Sequence, residues 1–144
     1  MPPLVNNALA ALPVFASHLL LALAIFAIGL AVYALVTPIH EFRLVRAGNA
    51  AAGIALAGVA IGLGVAVAAA MAASFTLLDI ALWGAIAVIV QIAAFLAVEF
   101  VLKGMAARVE AGEVAAASFL AAVLVSVGAI NAAAPSPCRR AGRG

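Results

Sequence analysis

Charged residues are scarce in this chain. Its 144 residues include 7 lysines and arginines and 5 aspartates and glutamates, which together amount to 8%, against about 25% in a soluble domain. So few charges cannot cover a water-soluble body of this size. A hydrophobic fraction of 69% also excludes disorder, which requires low hydrophobicity and high charge. The composition therefore indicates an integral membrane protein in contact with the lipid bilayer.

Cysteine and histidine are also rare. Cys138 is the one cysteine, which excludes an internal disulfide and a multi-cysteine metal site. His18 and His40 stand at opposite ends of the first apolar run, so across a membrane they cannot share a metal. The sequence shows none of the motifs of a nucleophile elbow, a zinc helix or a phosphate loop. We therefore expect a non-enzymatic protein without catalytic residues, metal or cofactor, and a net charge of +2 does not suggest nucleic-acid binding.

Long apolar runs are what the chain has in abundance. Four of them could cross a hydrocarbon core of about 30 Å as helices, at about 1.5 Å per residue, and their lack of polar–apolar alternation disfavours a barrel. Because no lysine or arginine precedes the first run, we interpret it as a span rather than a signal peptide. The predicted spans are 15–36, 50–73, 80–98 and 114–130, in a membrane domain of residues 15–134 that is flanked by tails 1–14 and 135–144.

The basic residues favour one orientation in the membrane. The connections 37–49 and 99–113 share a side and hold four basic residues, whereas the connection 74–79 and the N-terminal tail hold none. Because basic residues of short loops stay in the cytoplasm, we predict periplasmic termini and cytoplasmic charged connections. The arginines of the C-terminal tail oppose this assignment, and they are either a solvated end or a contact to anionic headgroups.

The second half of the chain resembles the first when it is shifted by 64 residues. Val45–Asn49 then falls on Val109–Glu113, and Gly64 falls on Gly128. From residue 45 to 70, 12 of 26 positions match, but 7 of these matches are Ala–Ala, so the glycine matches carry more weight. We predict an all-α membrane fold in which four transmembrane helices form two tandem hairpin repeats that run parallel.

Small residues follow one face of the second span. Gly58, Gly62 and Ala66 recur at every fourth position. The 64-residue shift aligns Gly58 with Ala122 and Gly62 with Ser126 in the sequence. Small residues let helix backbones approach closely in lipid. This face is either the seam of a homo-oligomer or a contact between helices of one bundle.

Several polar residues lie within or at the ends of the predicted spans. Each is a functional candidate, because a polar side chain in hydrocarbon is costly unless it is paired. Gln91 is either an interhelical hydrogen-bond former or a pore-lining group. We expect Glu99 to pair with Lys103 one turn later, Asp79 to cap the start of the third span and Asn131 to cap the end of the fourth.

The first connection has the pattern of a short helix. Thr37-Pro38 can start it, and the apolar Ile39, Phe42 and Val45 then alternate with polar residues. This segment is either a helix lying in the headgroup layer or a solvated elbow. Trp83, one turn into the third span, is typical of a membrane-interface anchor.

These residues in this order resemble the YjfL-type bacterial inner-membrane family, called domain of unknown function 350. The resemblance covers about residues 15–133, and it implies a four-span inner-membrane protein made of two hairpins. The family has no established activity, so the resemblance implies no catalytic residues. Its carriers are Thr37-Pro38-x-x-Glu41, Asn49-x-Ala51-Ala52, Gly58, Gly62, Asp79-x-x-x-Trp83-Gly84, Gln91 and Gly128-x-x-Asn131-Ala132-Ala133.

Two functions fit this sequence. The first is a non-enzymatic oligomerising or accessory subunit of a membrane complex, which associates through the face of Gly58 and Gly62. The second is an ion channel or ion-conducting homo-oligomer that is lined by Gln91, Glu99 and Asn131, since polar groups at membrane depth can line a pathway.

Overall fold

Six helices account for most of the chain in the computed structural model, which describes residues 3–74 and 76–134. Four of these helices are long and apolar enough to cross a membrane. Within the described residues no strand forms, so the predicted all-α membrane fold is confirmed. The helices are α1 (Pro3–Val36), α2 (Glu41–Arg46), α3 (Ala50–Ala73), α4 (Leu77–Val101), α5 (Met105–Glu110) and α6 (Val114–Ala133).

Three of the four long helices differ from the predicted spans in one or both bounds. α1 begins at Pro3 and continues through Pro13, so the described part of the predicted N-terminal tail is helical. α4 extends beyond the span 80–98 at both ends, and α6 continues to Ala133. Only α3 has the predicted bounds. The predicted tail 135–144 lies outside the described residues.

The two short helices end in the same way. Gly48 after α2 and Gly112 after α5 have φ values of 85° and 87°, a left-handed conformation that favours glycine. In each case the following residue donates its N–H to a carbonyl five positions back, Asn49 to Leu44 and Glu113 to Arg108, which is the Schellman arrangement. α2 and α5 are separated by the 64 residues of the sequence shift, although the tandem duplication itself stays a prediction.

α3 and α6 form the closest helix pair. α1 packs on α3 and α4, and α4 also contacts α6, which gives a four-helix bundle. α2 lies against α3, and α5 lies against α6 and α3, so both short helices sit at one end. We call this the charged end, formed by residues 37–49 and 102–113. The opposite end holds the turn between α3 and α4.

Glycines explain the close approach of α3 and α6. A methyl group at Gly58 would overlap the backbone of Ala121, and one at Gly62 would overlap the backbone of Leu124. Gly128 of α6 lies directly on the backbone of Gly62. In lipid, helices are held together by dispersion attraction and interhelical hydrogen bonds, and both require this close approach of the backbones.

Of the two alternatives for the face of Gly58 and Gly62, this packing corresponds to the contact within one bundle and not to an oligomer seam. Both glycines and Ala66 are buried, and the glycines are covered by α6 of the same chain. Ala122 and Ser126 are exposed on α6. The five small residues therefore do not form one surface, because the α3 face turns inward and the two α6 residues turn outward.

Candidate functional site

The charged end is held together by Asn49. Its Oδ1 accepts a hydrogen bond from Ala52 N at 3.0 Å and caps α3. Its Nδ2 donates to the carbonyl of Glu110, the last residue of α5, at 3.0 Å. The carboxylate of Glu110 lies 3.9 Å from Nδ1 of His40. One amide therefore joins the connection 37–49 to α5 in the connection 99–113.

Glu99 caps α5 instead of pairing with Lys103. Its two carboxylate oxygens accept from the backbone N–H groups of Gly104 at 2.9 Å and Ala106 at 2.8 Å. The first N–H groups of a helix have no partner within it, and a carboxylate there forms strong charge-assisted hydrogen bonds. The predicted ion pair with Lys103 is therefore wrong.

The ion pair of this end joins Arg108 to Glu113. The guanidinium donates through Nε to Oε2 at 2.6 Å and through a second nitrogen to Oε1. Both side chains are solvent-exposed. The hydrogen bond and the positive charge of Arg108 hold the pKa of Glu113 below its usual value. This pair was not predicted from the sequence, although a basic and an acidic residue on either side of a turn glycine were a signal for it.

Gln91 forms a hydrogen bond between helices. Its Nε2 donates to the carbonyl of Leu124 on α6 at 3.1 Å, and the side chain is buried. Gly62 leaves the space for it, since a methyl group there would meet Gln91 Nε2. This contact corresponds to the interhelical interpretation of Gln91.

The three residues expected to line a pathway lie apart. Gln91 is in the α4–α6 contact, whereas Glu99, near the end of α4, is bonded to the start of α5 at the charged end. Asn131 lies at the opposite end, where it borders a small cavity of about 40 Å³ together with Ala73 and Trp83. Asn131 is also inside α6, whose C-cap is Ala134, so its predicted capping role is wrong. The described residues thus do not bring these polar groups into one site.

Thr76, and not Asp79, caps the start of α4. Its Oγ1 accepts from Asp79 N at 3.2 Å and donates to Asp79 Oδ2 at 2.8 Å. The helix starts three residues earlier than predicted, which places Asp79 in its first turn. The sequence Thr-x-x-Asp is close to a capping box, which was an available signal.

Glu41 is the unusual residue of the charged end. Its side chain is 0% exposed, and the neighbouring Tyr33 of α1 is 1% exposed. Neither carboxylate oxygen of Glu41 nor the hydroxyl of Tyr33 has a hydrogen-bond partner among the described residues. Burial raises the pKa of Glu41 to about 7, even though the nearby Tyr33 hydroxyl acts in the opposite direction. Tyr33, Thr37 and Glu41 form the candidate site.

The rest of α1 and its turn fix Tyr33 in place. Thr37 donates to the carbonyl of Tyr33 through both its backbone N and its Oγ1, each at 2.9 Å. The Tyr33 ring stands edge-on to Phe95, with 5.6 Å between ring centroids and an interplanar angle of 82°. The Thr37 hydrogen bonds therefore hold the backbone of Tyr33, and the edge-on contact with Phe95 orients its ring.

The alternating pattern of residues 39–46 did not predict the burial of Glu41. Glu41 was expected among the polar residues, but it is buried together with Ile39. Phe42 and Val45 are 49% and 39% exposed. Sequence reasoning marked Glu41 only through the family resemblance and missed Tyr33, because the burial of both depends on where α2 docks.

Comparison with known proteins gives a consistent family. The family described as Domain of Unknown Function (DUF350) matches residues 7–134. The chain is 26% identical over 119 residues to the UPF0719 inner membrane protein YjfL of Escherichia coli (strain K12), which covers 83% of this chain and 90% of that protein. The protein of the same name from Escherichia coli O157:H7 matches to the same extent. The comparison with solved structures gave no match.

Proposed function

The chain belongs to the DUF350 family and is a multi-pass inner-membrane protein, and from this premise we propose that it acts as a non-enzymatic, self-associating subunit of a membrane assembly. The contact surface of this proposal is the outward face of α6. Its partner is a second copy of the chain. The face is the part of the predicted small-residue set that is not covered within one bundle.

The observation that carries the proposal is the size of the residues on this face. Ser118, Ala122 and Ser126 follow one another at every fourth position and are all exposed. The hydroxyl of Ser126 is bonded to the carbonyl of Ala122 at 2.7 Å, so it lies along the helix. Large side chains such as Phe119 flank this stripe on α6, and large side chains such as Leu20 and Ile89 cover the outward faces of α1 and α4.

A second copy suits this face better than an unrelated chain. Two copies insert in the membrane with the same orientation, so Ser118, Ala122 and Ser126 lie at equal depths in both. A two-fold axis along the membrane normal then places small residues against small residues, as an isologous interface requires. Small residues let the two helix backbones approach closely, and the resulting dispersion contacts favour association in lipid. A helix covered by leucine side chains does not allow this close approach.

Disulfide cross-linking in native membranes tests this proposal. In a Cys138→Ser background, Ala122→Cys should give a disulfide-linked dimer on oxidation, because a disulfide requires Cα atoms within about 7 Å. Ile89→Cys on the outward face of α4 is the matched control and should stay monomeric. Adding Ser126→Leu to Ala122→Cys should abolish the dimer.

The same experiment can overturn the proposal. Equal cross-linking at positions 89 and 122 would mean random collision. A monomeric Ala122→Cys protein, or an adduct with a chain of another mass, would contradict self-association through α6. The particle mass in mild detergent supplies an independent measure of the dimer.

A further inference from the structure

Glu41 and Tyr33 place three buried oxygen atoms together without hydrogen-bond partners in the described chain. Around them lies a core of apolar side chains, to which Ile39, Phe95 and Val109 belong. An unpaired carboxylate in such a medium is strongly disfavoured, and the group is neutralised instead. The question is what neutralises Glu41.

The charged side chains of the surrounding elements are engaged elsewhere or face solvent. On α2 itself, Arg43 and Arg46 are exposed. On α4, Glu99 is bonded to the start of α5. On α5, the exposed Arg108 is paired with Glu113 and Glu110 lies near His40. α3 contributes no titratable side chain, and on α1 the titratable group beside Glu41 is Tyr33.

A bound metal ion is the weaker explanation. Only one of the neighbouring groups is a carboxylate, and within the described residues no three His, Cys, Asp or Glu side chains come together. Hard cations are held by six or more oxygen ligands, which this apolar surrounding does not offer. A proton requires no such shell.

We propose that Glu41 is a proton-binding site, with Tyr33 as its polar neighbour, and that loss of the proton releases α2 from the bundle. The proton comes from the aqueous phase at the charged end and converts the carboxylate into a neutral carboxylic acid. The acid has one O–H donor, for which the Tyr33 hydroxyl is an acceptor. Tyr33 stays in place because Thr37 bonds its backbone carbonyl and Phe95 packs against its ring.

α2 is the element that can respond. It has six residues, and its exposed Phe42 and Val45 make no contribution to the buried core. When Glu41 ionises, the carboxylate needs water, and the shortest way to water is an outward movement of α2. Ile39, which is 1% exposed, then becomes accessible from the aqueous side.

Carbon-13 NMR of the protein in lipid nanodiscs tests the site. The chain has glutamates at positions 41, 99, 110 and 113, so labelling all glutamate carboxyl carbons gives four signals. The signal that is missing in Glu41→Gln should report a neutral acid at about pH 5.5 and a carboxylate at about pH 8.5, with its midpoint displaced upward from the usual glutamate range. A Glu41 signal that is ionised throughout this interval would overturn the proposal.

Thiol accessibility tests the movement. In a Cys138→Ser background, Ile39→Cys should react with an impermeant maleimide in inside-out vesicles faster at high pH. Phe42→Cys on α2, three residues later, replaces a side chain that is already exposed and corrects for the intrinsic reactivity of the thiolate. The ratio of the two rates should rise at least about tenfold (about 1.4 kcal/mol in equilibrium terms) between pH 5.5 and pH 8.5.

Glu41→Gln decides whether this ratio depends on Glu41. The amide cannot ionise, so the ratio should stay low and constant with pH in Ile39→Cys/Glu41→Gln. A wild-type ratio that does not change with pH would overturn the release of α2. A change that persists in the Gln variant would overturn the assignment to Glu41.

Discussion

At the scale of single residues, the polar side chains of this bundle bond chiefly to backbone groups. Asn49, Gln91 and Glu99 each satisfy backbone N–H or carbonyl groups of another segment. That Gln91 needs a partner was predictable from its depth in the span. That the partner is Leu124 was not predictable, because it depends on the rotation of α4 against α6.

Removal of the Gln91 amide should weaken the bundle modestly. We expect Gln91→Met, which keeps the approximate volume, to lower the free energy of unfolding by about 1 kcal/mol, since interhelical hydrogen bonds in membranes are worth roughly 0.6–1.7 kcal/mol. Steric-trapping equilibria in bicelles measure this difference. Ile89→Met on the lipid-facing side of α4 is the control, and an equal loss in both variants would contradict a specific role for the amide.

Glu41 should make the stability of the protein dependent on pH. Because the pKa of Glu41 is raised from 4.5 to about 7 in the fold, the folded protein binds its proton more tightly than the unfolded chain does. This contribution is fully present below about pH 4.5 and is lost as the pH rises through about 7. The midpoint temperature of thermal unfolding should therefore decrease as the pH is raised from about 5.5 to about 8.5.

The variant Glu41→Gln isolates this effect. Its thermal midpoint should exceed that of the wild type at pH 8.5. The difference should shrink as the pH falls and vanish near about pH 4.5, below which Glu41 is neutral in the unfolded chain as well. Differential scanning fluorimetry in detergent gives both midpoints. Wild-type and variant curves that run parallel over the whole interval would show that Glu41 does not titrate there.

At the scale of the helices, most elements could be predicted and their contacts could not. The apolar runs predicted four long helices, and α3 was predicted with its exact bounds. The start of α4 was predicted three residues too late, because Asp79 was taken as the N-cap and Thr76, which is the N-cap, was not considered. The face used by Gly58 and Gly62 was recognised as a contact surface, but sequence alone could not decide between a second copy and α6.

The glycines of α3 provide a matched test of that assignment. Gly62→Ala should destabilise the protein by about 1–3 kcal/mol, because the added methyl group overlaps the backbone of Leu124, and overpacking costs about that much. Gly64→Ala, two residues later, meets only the Phe26 ring at 3.6 Å. It should be neutral or stabilise by up to about 1 kcal/mol, since alanine is the better helix former.

Unfolding equilibria of the two alanine variants distinguish the two interpretations of this face. If Gly62 served an oligomer seam, Gly62→Ala would change the particle mass at unchanged monomer stability. The structure predicts the reverse, a less stable monomer of unchanged association. Loss of stability in Gly64→Ala of the same size would show that the effect belongs to helix α3 in general and not to its contact with α6.

At the scale of the whole molecule, the membrane class followed from composition, while the candidate site did not. Few charges and four apolar runs indicate a bundle of membrane-spanning helices, because helices satisfy their own backbone hydrogen bonds in lipid. Glu41, in contrast, lies in a connection whose alternating pattern predicted an exposed side chain. Its burial results from the docking of α2 against α3 beside Tyr33 of α1, which is a property of the assembled bundle.

The orientation of the bundle is the last consequence of this arrangement. The charged end carries Arg43, Arg46, Lys103 and Arg108, and the positive-inside rule counts these residues even where an acidic partner such as Glu113 is bound. We therefore predict that α2 and α5 face the cytoplasm and that the C-terminal tail lies in the periplasm.

In intact spheroplasts, an impermeant maleimide should label the natural Cys138. In a Cys138→Ser background, Ala47→Cys, next to α2, should react only after lysis. The reverse pattern would invert the topology and would place the Glu41 proton site on the periplasmic side, where it would respond to external rather than cytoplasmic pH.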